Sequence, residues 1–377
     1  MTNLGVGIIG CGNISSAYLR LAPMFRGFDI RAVADIDDAA ARARAEEFGV
    51  RHDSVEALLG AGDIDIVVNL TVPAAHFEIS SGVLKSGKHV YSEKPFVLSL
   101  EEGAEIARLA GARGCRVGSA PDTFLGGSHQ LARHLIDGGV IGTVTSGTAF
   151  VMSHGMEHWH PNPDFFFLPG AGPVLDIGPY YVTNLVQLIG PVSRVAAVST
   201  IPTRTRTILS EPRHGEEIPV RTPTTIHGIL EFHSGAVVTL VTSWDVWAHG
   251  HKPMELYGTE ASLDLPDPNF FGGELVVTRA NQEPSVVDAW DHPFSVVNQE
   301  DGHANYRAAG LSDMALAIHE GRPHRCSMEL ALHAVEVMTG LLKSGENGQF
   351  VNMTTTCNRP APLDPDDARA LLNGASP

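Results

Sequence analysis

Lysine is scarce in this chain: positions 85, 88, 94, 252 and 343 hold the only five among 377 residues. There is no basic run, and the formal net charge is −17. A surface of that sign repels nucleic acid and anionic membranes alike, so neither is an expected partner. No apolar stretch reaches the roughly 18 residues that cross a bilayer. The opening residues Met1-Thr2-Asn3-Leu4 carry no charged leader segment, so no secretory signal is read there. Cysteine is sparse too. Cys11, Cys115, Cys326 and Cys357 are scattered without paired metal-ligand spacing, which argues against a metal site or a disulfide framework and fits reduced thiols in the cytoplasm.

What is present is a globular composition, 43% hydrophobic and 18% charged, long enough for two domains. Residues 4–9 form a short apolar run without a polar face, the pattern of a fully buried parallel strand. Gly10-Cys11-Gly12-Asn13-Ile14-Ser15 follows and leads into a helical pattern over 17–25. Gly10 permits a tight turn, Gly12 lets a pyrophosphate approach the backbone, Asn13 and Ile14 are candidate cofactor contacts, and the following helix offers an N-terminal dipole that favours an anion. The next strand, 30–34, ends in Asp35, 23 positions after Gly12, near the offset of a carboxylate that grips the adenosine ribose. Ile36 stands where an arginine would favour a 2′-phosphate, so the expected cofactor is NAD in preference to NADP. Asp35 has an alternative role as a helix N-cap, one that Asp37 and Asp38 can also fill.

Strands and helices keep alternating. Residues 64–70 read as a buried strand with Thr71-Val72-Pro73 as its exit, close to the nicotinamide half of a dinucleotide. His76 opens the helix over 76–86, as a polar helix start first and a cofactor contact second. A further strand, 89–92, empties into Glu93-Lys94-Pro95. Pro95 biases Lys94 toward an extended conformation at the strand's carboxyl end, where ligands bind in an open parallel sheet. A partly desolvated lysine there can exchange protons near neutral pH; a surface lysine after an ordinary strand is the plain alternative. This half, residues 1–122, predicts a Rossmann domain with a doubly wound parallel sheet.

From residue 123 to 377 the pattern changes to recurring strands at 144–153, 195–201, 225–232, 236–244, 254–257, 261–265 and 274–279. Runs of strands with few helices between them predict an α+β domain with a large, mostly antiparallel open sheet. Within it, residues 152–167 place His154, Glu157, His158, Trp159 and His160 before an aromatic run at 165–167. Rings for C–H faces beside polar groups for hydroxyls suit a sugar, and make His158 and Trp159 candidate substrate contacts. A connecting loop is the plain alternative, and the histidine spacing matches no standard metal cluster. Asp176 and Tyr180 are four apart, so on one helix both leave the same face. Helical patterns cover 178–188, 307–320 and 328–343, and the tail after Pro360 reads as peripheral.

The order GCGNIS, then AVADID, then Glu93-Lys94-Pro95, and later Gly170-Ala171-Gly172-Pro173-Val174-Leu175-Asp176-Ile177-Gly178-Pro179-Tyr180, resembles the glucose–fructose oxidoreductase / inositol dehydrogenase / MocA family along essentially the whole chain. The resemblance implies that Lys94 lies beside the nicotinamide and the reacting hydroxyl, and that Asp176 is the family's catalytic aspartate. Tyr180 stands where most members have an acid/base histidine, as in a tyrosine-bearing subset. It further implies an NAD-dependent oxidoreductase for a sugar, glycoside or cyclitol secondary alcohol, assembled as a homodimer or homotetramer. An NAD-dependent glycosidase using transient oxidation, a biliverdin- or dihydrodiol-type reductase, and a non-catalytic nucleotide sensor are the alternatives on the same fold.

Overall fold

The computed structural model describes residues 2–374. They form two compact units, the first made of the described residues up to Gly127 with Asp291–Leu332 and those from Pro360 on, the second of Ser128–Trp290 with His333–Arg359. Where the sequence suggests one cut at residue 122, the chain therefore passes between units four times. Periodicity identifies elements, whereas unit membership depends on which distant segments share a core.

In the first unit, six strands run parallel: β1 (Leu4–Ile9), β2 (Phe28–Ala34), β3 (Arg51–His52), β4 (Ile66–Asn69), β5 (His89–Ser92) and β6 (Val117–Ser119). Their order is β3-β2-β1-β4-β5-β6, the doubly wound arrangement in which the strand order reverses between β1 and β4. Helices α1 (Asn13–Leu21), α2 (Asp38–Phe48), α3 (Val55–Gly60), α4 (His76–Lys85) and α5 (Leu100–Arg113) connect them. The starts of these helices are written locally. Asp37 accepts the N–H groups of Ala39 and Ala40 ahead of α2, and Ser99 Oγ accepts that of Glu102 ahead of α5. Val6, Ile8, Val67 and Val68 have no solvent exposure, as parallel strands covered on both faces require.

The later segments complete this unit's core. Phe294 packs edge-on against Phe25 and stacks on Tyr306. The tail is not peripheral: Leu363, Ala368 and Leu371 are buried, and the Leu371 carbonyl accepts the Arg26 N–H at 2.8 Å. A tail rich in Pro and Asp looks solvated by composition, but its few apolar residues are spaced to enter a core supplied by other segments.

The second unit starts within α6 (Gly127–Asp137) and is built on a nine-stranded sheet. Its strands are β7 (Val144–Met152), β8 (Val192–Thr200), β11 (Thr225–Phe232), β12 (Val237–Ser243), β13 (Met254–Gly258), β14 (Ala261–Leu265), β15 (Val276–Arg279), β16 (Ser285–Val286) and β17 (Val351–Asn352). A separate pair, β9 (Thr205–Thr207) and β10 (Glu217–Pro219), lies apart from it. All ladders in the large sheet are antiparallel except β7 with β12, so the sheet is mixed but mostly antiparallel. Burial alternates along β11, with one face packed and the other leaving Val198, Ile229 and Val237 exposed. Between β7 and β8 come α7 (Pro173–Asp176) and the almost wholly buried α8 (Gly178–Ile189). Helix α9 (Ala309–Glu320) belongs to the first unit, α10 (Met328–Asn347) crosses the division, and α11 (Pro365–Ala370) closes the chain.

Candidate active site

The turn after β1 is set by contacts that leave little choice of residue. Gly10 has φ +106°, and a Cβ there would lie 2.5 Å from the Leu70 carbonyl carbon. Only glycine tolerates both the backbone conformation and this approach of the β4 exit. Gly12 is the opposite case: nothing lies within 4 Å of where its Cβ would be. That open space faces the start of α1, where Asn13 is exposed and Ile14 half-buried. A buried Ser15, whose Oγ donates to the Gly12 carbonyl at 2.6 Å, takes the third fingerprint position without loosening the turn.

Asp35 is held at the end of β2 by two backbone donors, Cys11 N–H to Oδ2 at 2.6 Å and Asp37 N–H to Oδ1 at 2.9 Å. The N-cap of α2 is Asp37, which leaves Asp35 to tie the glycine turn to the β2 end. Ile36 beside it is fully exposed. Burial, with Asp35 nearby, pushes the Cys11 thiol up to about 11, so this cysteine stays protonated and inert. Sequence reasoning missed Arg44. Its guanidinium reaches the Gly12 carbonyl at 3.4 Å and pairs with Glu47 at 2.5 Å. Its place on α2 carried no signal, because the contact depends on how α2 packs against the turn.

The exits of β4 and β5 are knitted into one piece. Asn69, fully buried, accepts the Thr71 hydroxyl at 2.7 Å, while its amide donates to Ser80 Oγ and the His76 carbonyl. The Asn69 carbonyl accepts the Glu93 N–H at 2.9 Å. His76 is only 1% exposed, with Nδ1 2.7 Å from the Pro95 carbonyl and Nε2 2.9 Å from the Thr71 carbonyl. Both ring nitrogens face backbone carbonyls, and the neutral ring donates its one N–H to one of them, so His76 braces the two loops rather than reaching outward to a cofactor. Burial lowers its pKa, opposed by those carbonyls, and nearby Lys94 lowers it further. Thr71 and Pro73 are half-buried on the loop His76 supports, with Val72 exposed between them.

Glu93 and Lys94 complete this face. One Glu93 oxygen accepts the Tyr18 hydroxyl at 3.0 Å and the other the Lys94 N–H at 3.0 Å. Burial, with Glu93 beside it, drives the Tyr18 pKa far up, so that hydroxyl is a permanent donor. Lys94 itself is half-buried, and its peptide to Pro95 is cis. The first unit therefore places Gly10, Gly12, Asn13, Ile14, Asp35, Thr71, Pro73, Glu93 and Lys94 in the segments leaving the carboxyl ends of β1, β2, β4 and β5, with His76 beneath. A dinucleotide fits this frame: open backbone at Gly12, a helix N-terminus, and a fixed carboxylate at Asp35.

In the second unit, Asp176 and Tyr180 lie on two helices rather than one. Asp176 ends α7 and Tyr180 sits in the first turn of α8, with Ile177 as the junction. Pro179 has no N–H for the preceding turn, so the helix restarts there. Asp176 N–H bonds the Gly172 carbonyl at 3.0 Å; its side chain is half-buried, whereas Tyr180 is 8% exposed.

The 152–167 segment is organised by a buried cation that sequence reasoning missed. Arg206 on β9 pairs with Glu157 at 2.9 Å and with Asp245, and donates to the Trp244 carbonyl at 3.1 Å. Its guanidinium also lies over the Phe167 ring. An isolated arginine in a polar segment reads as solvated, so nothing in the sequence marks it as the centre of this cluster. Gly155, at φ +99°, passes so close that a Cβ would lie 2.3 Å from Glu157 Oε2. Around the cluster, His158 is exposed, Trp159 is 57% exposed, and His154 stacks on Trp247. Among the described residues, no group of three or more His, Cys, Asp or Glu side chains is arranged to hold a metal ion.

The sheet order and the glycine turn with its anchored acid define an α/β protein of the dinucleotide-binding class. Residues 4–120 match the oxidoreductase family with NAD-binding Rossmann fold, and residues 129–264 match the GFO/IDH/MocA C-terminal domain. The chain belongs to the Gfo/Idh/MocA family of oxidoreductases. It is 28% identical over 363 residues to D-xylose 1-dehydrogenase (NADP(+)) 2 of Haloferax volcanii, covering 92% of this chain and 99% of the relative. With D-glucoside 3-dehydrogenase of Escherichia coli the identity is 26%, over 64% of this chain and 70% of that protein. The fold is also that of levoglucosan dehydrogenase in its complex with NADH and levoglucosan, with a TM-score of 0.78 at 22% identity over 94% of this chain and all of that one. No helix among the described residues is long and apolar enough to cross a membrane.

Proposed function

We propose that this protein is an NAD-dependent dehydrogenase of a secondary alcohol on a sugar, glycoside or cyclitol, working in the cytoplasm as a homodimer or homotetramer. The observation that carries the reading is Lys94, half-buried at the end of β5 and fixed through Glu93 to Tyr18, beside the loop that His76 braces. Gly10, Gly12, Asn13, Ile14 and Asp35 hold the adenosine and pyrophosphate side of the nucleotide, while Thr71, Pro73, Glu93 and Lys94 line its nicotinamide side. The bound nicotinamide supplies the hydride acceptor. Asp35 with exposed Ile36 favours an unphosphorylated ribose, which supports NAD even though the Haloferax relative is named for NADP(+).

Lys94 hydrogen-bonds the hydroxyl that reacts and assists the departure of its proton. Asp176 orients substrate, and Tyr180 takes the proton-transfer role that a histidine fills in most members. His158 and the exposed ring of Trp159 meet the sugar's hydroxyls and C–H face. The free, dispersed cysteines support a reducing compartment. To test this, Lys94→Ala and wild type are assayed on a panel of sugars and cyclitols with NAD⁺ and with NADP⁺. Wild type reduces NAD⁺ preferentially, and Lys94→Ala loses about 100-fold or more in kcat, the usual contribution of a positioned proton-transfer group. Undiminished turnover in Lys94→Ala would remove the lysine from the chemistry.

A further inference from the structure

The first unit contains a second recess, at its edge strand and distinct from the segments assigned above. Next to β6 lies a cleft of about 430 Å³, within the size range of small-molecule sites. Arg116, Arg322, His324, Ser327 and Glu329 are among its lining residues.

The charges there are unevenly satisfied. Arg322 is neutralised, with Nη1 2.9 Å from Asp313 and Nε 2.6 Å from Glu320. Arg116 is not. Its guanidinium donates to the Arg322 carbonyl, and among the described residues no carboxylate pairs with it. The Arg116 backbone is fixed as well, since its main-chain N–H donates to His89 Nδ1 at 2.8 Å. His324 bonds the Val117 carbonyl at 3.1 Å through Nε2, and burial lowers its pKa, so it brings a neutral ring to the wall. The same wall carries the first turn of α10, a helix of 20 residues. Ser327 Oγ there accepts the Leu330 N–H at 3.2 Å, and the positive end of the helix dipole lies in this wall. Against this stands a single lining carboxylate, Glu329, which is exposed at the rim.

We propose that this cleft binds a small oxyanion, the phosphate or carboxylate group of a metabolite, in the fork of Arg116. A planar guanidinium takes either group in bidentate fashion, and the α10 terminus adds to the field. The Arg322 carbonyl, bonded to the guanidinium itself, preorganises the fork before a ligand arrives, on a backbone that His89 fixes. Glu329 lowers the affinity and sets its salt dependence.

Calorimetric titration of inorganic phosphate, and in a parallel arm malonate, at constant ionic strength tests the site. The full-length protein is first saturated with nicotinamide nucleotide, so that the glycine turn is occupied. The expected result is one-site binding of at least one of the two anions. Arg116→Gln weakens it about tenfold or more, the loss of a charge-assisted pair, and Glu329→Gln strengthens it about two- to fivefold by removing a nearby like charge. The arm that binds names the group. The opposite signs guard against mere damage to the fold, since a misfolded variant does not gain affinity. Failure of both anions to bind, equal binding by Arg116→Gln and wild type, or unchanged or weaker binding in Glu329→Gln would each overturn the proposal.

Discussion

Alanine at Gly10 and alanine at Gly12 should fail in different ways. At Gly10 the new methyl group enters a backbone with φ +106° and meets the Leu70 carbonyl carbon at 2.5 Å. The left-handed conformation costs about 1–2 kcal/mol and overpacking against a main-chain group about 1–3 kcal/mol, together roughly 2–5 kcal/mol. For a domain of this size, about 2–4 °C per kcal/mol converts that to a fall in Tm of roughly 4–20 °C. At Gly12 the backbone has φ −71° and ψ −167°, which alanine adopts freely, and the Cβ meets nothing within 4 Å. Loss of glycine at the N-cap of α1 costs up to about 1 kcal/mol, and reduced freedom of the unfolded chain returns about 0.4–1 kcal/mol, so the net is near zero. The methyl group nevertheless occupies the space a pyrophosphate needs, and affinity for the nucleotide falls about tenfold or more, roughly 1.4 kcal/mol. Scanning calorimetry without nucleotide and a fluorescence titration with NADH read the two effects separately. A Gly12→Ala protein that binds NADH like wild type, or melts as low as Gly10→Ala, would refute the assignment of the turn.

Two further outcomes follow from buried charge. Arg206→Met leaves Glu157 and Asp245 without their cation, which costs about 3–5 kcal/mol in a calorimetric melt. Because the 152–167 segment is then released, KM for substrate rises more than kcat falls. Asp122 is buried, accepts the N–H groups of Ala308 and Gly310, and is pushed by burial up to about 6. Its folded pKa exceeds its unfolded one, so its protonated form stabilises the fold at low pH and that contribution is lost as pH rises from about 4 to 6, by up to about 3 kcal/mol. Asp122→Asn should remove this slope from urea melts taken across that range.

Most of the first unit's sheet was legible because its buried strands are short runs closed by a turn signal, and Gly10, Gly12 and Asp35 keep a fixed spacing along one local βαβ path, whereas β3, two polar residues long, carried no such signal. The large sheet of the second unit was legible for the same kind of reason: residues 225–232 and 261–265 are strands end for end. What escaped depends on contacts made across long stretches of chain. Arg206 sits 49 positions from Glu157, and Arg44 reaches Gly12 from 32 positions away. His76 was visible as a helix start, but its two carbonyl partners follow from the meeting of two loops. The i, i+4 spacing of Asp176 and Tyr180 was sound arithmetic applied across a proline that interrupts the helix.

The discontinuous first unit has a consequence for synthesis. Arg26 is bonded to Leu371, and Phe25 packs against Phe294, so the β1–β2 region shares its core with residues that lie hundreds of positions later in the chain. A ribosome has therefore passed residue 371 before that core can close. Until then the nascent sheet must wait with apolar surface uncovered, and the second unit, whose nine-stranded sheet ends by residue 352, completes that sheet first. The nucleotide-binding unit begins ahead of the second unit in the chain and is finished after it.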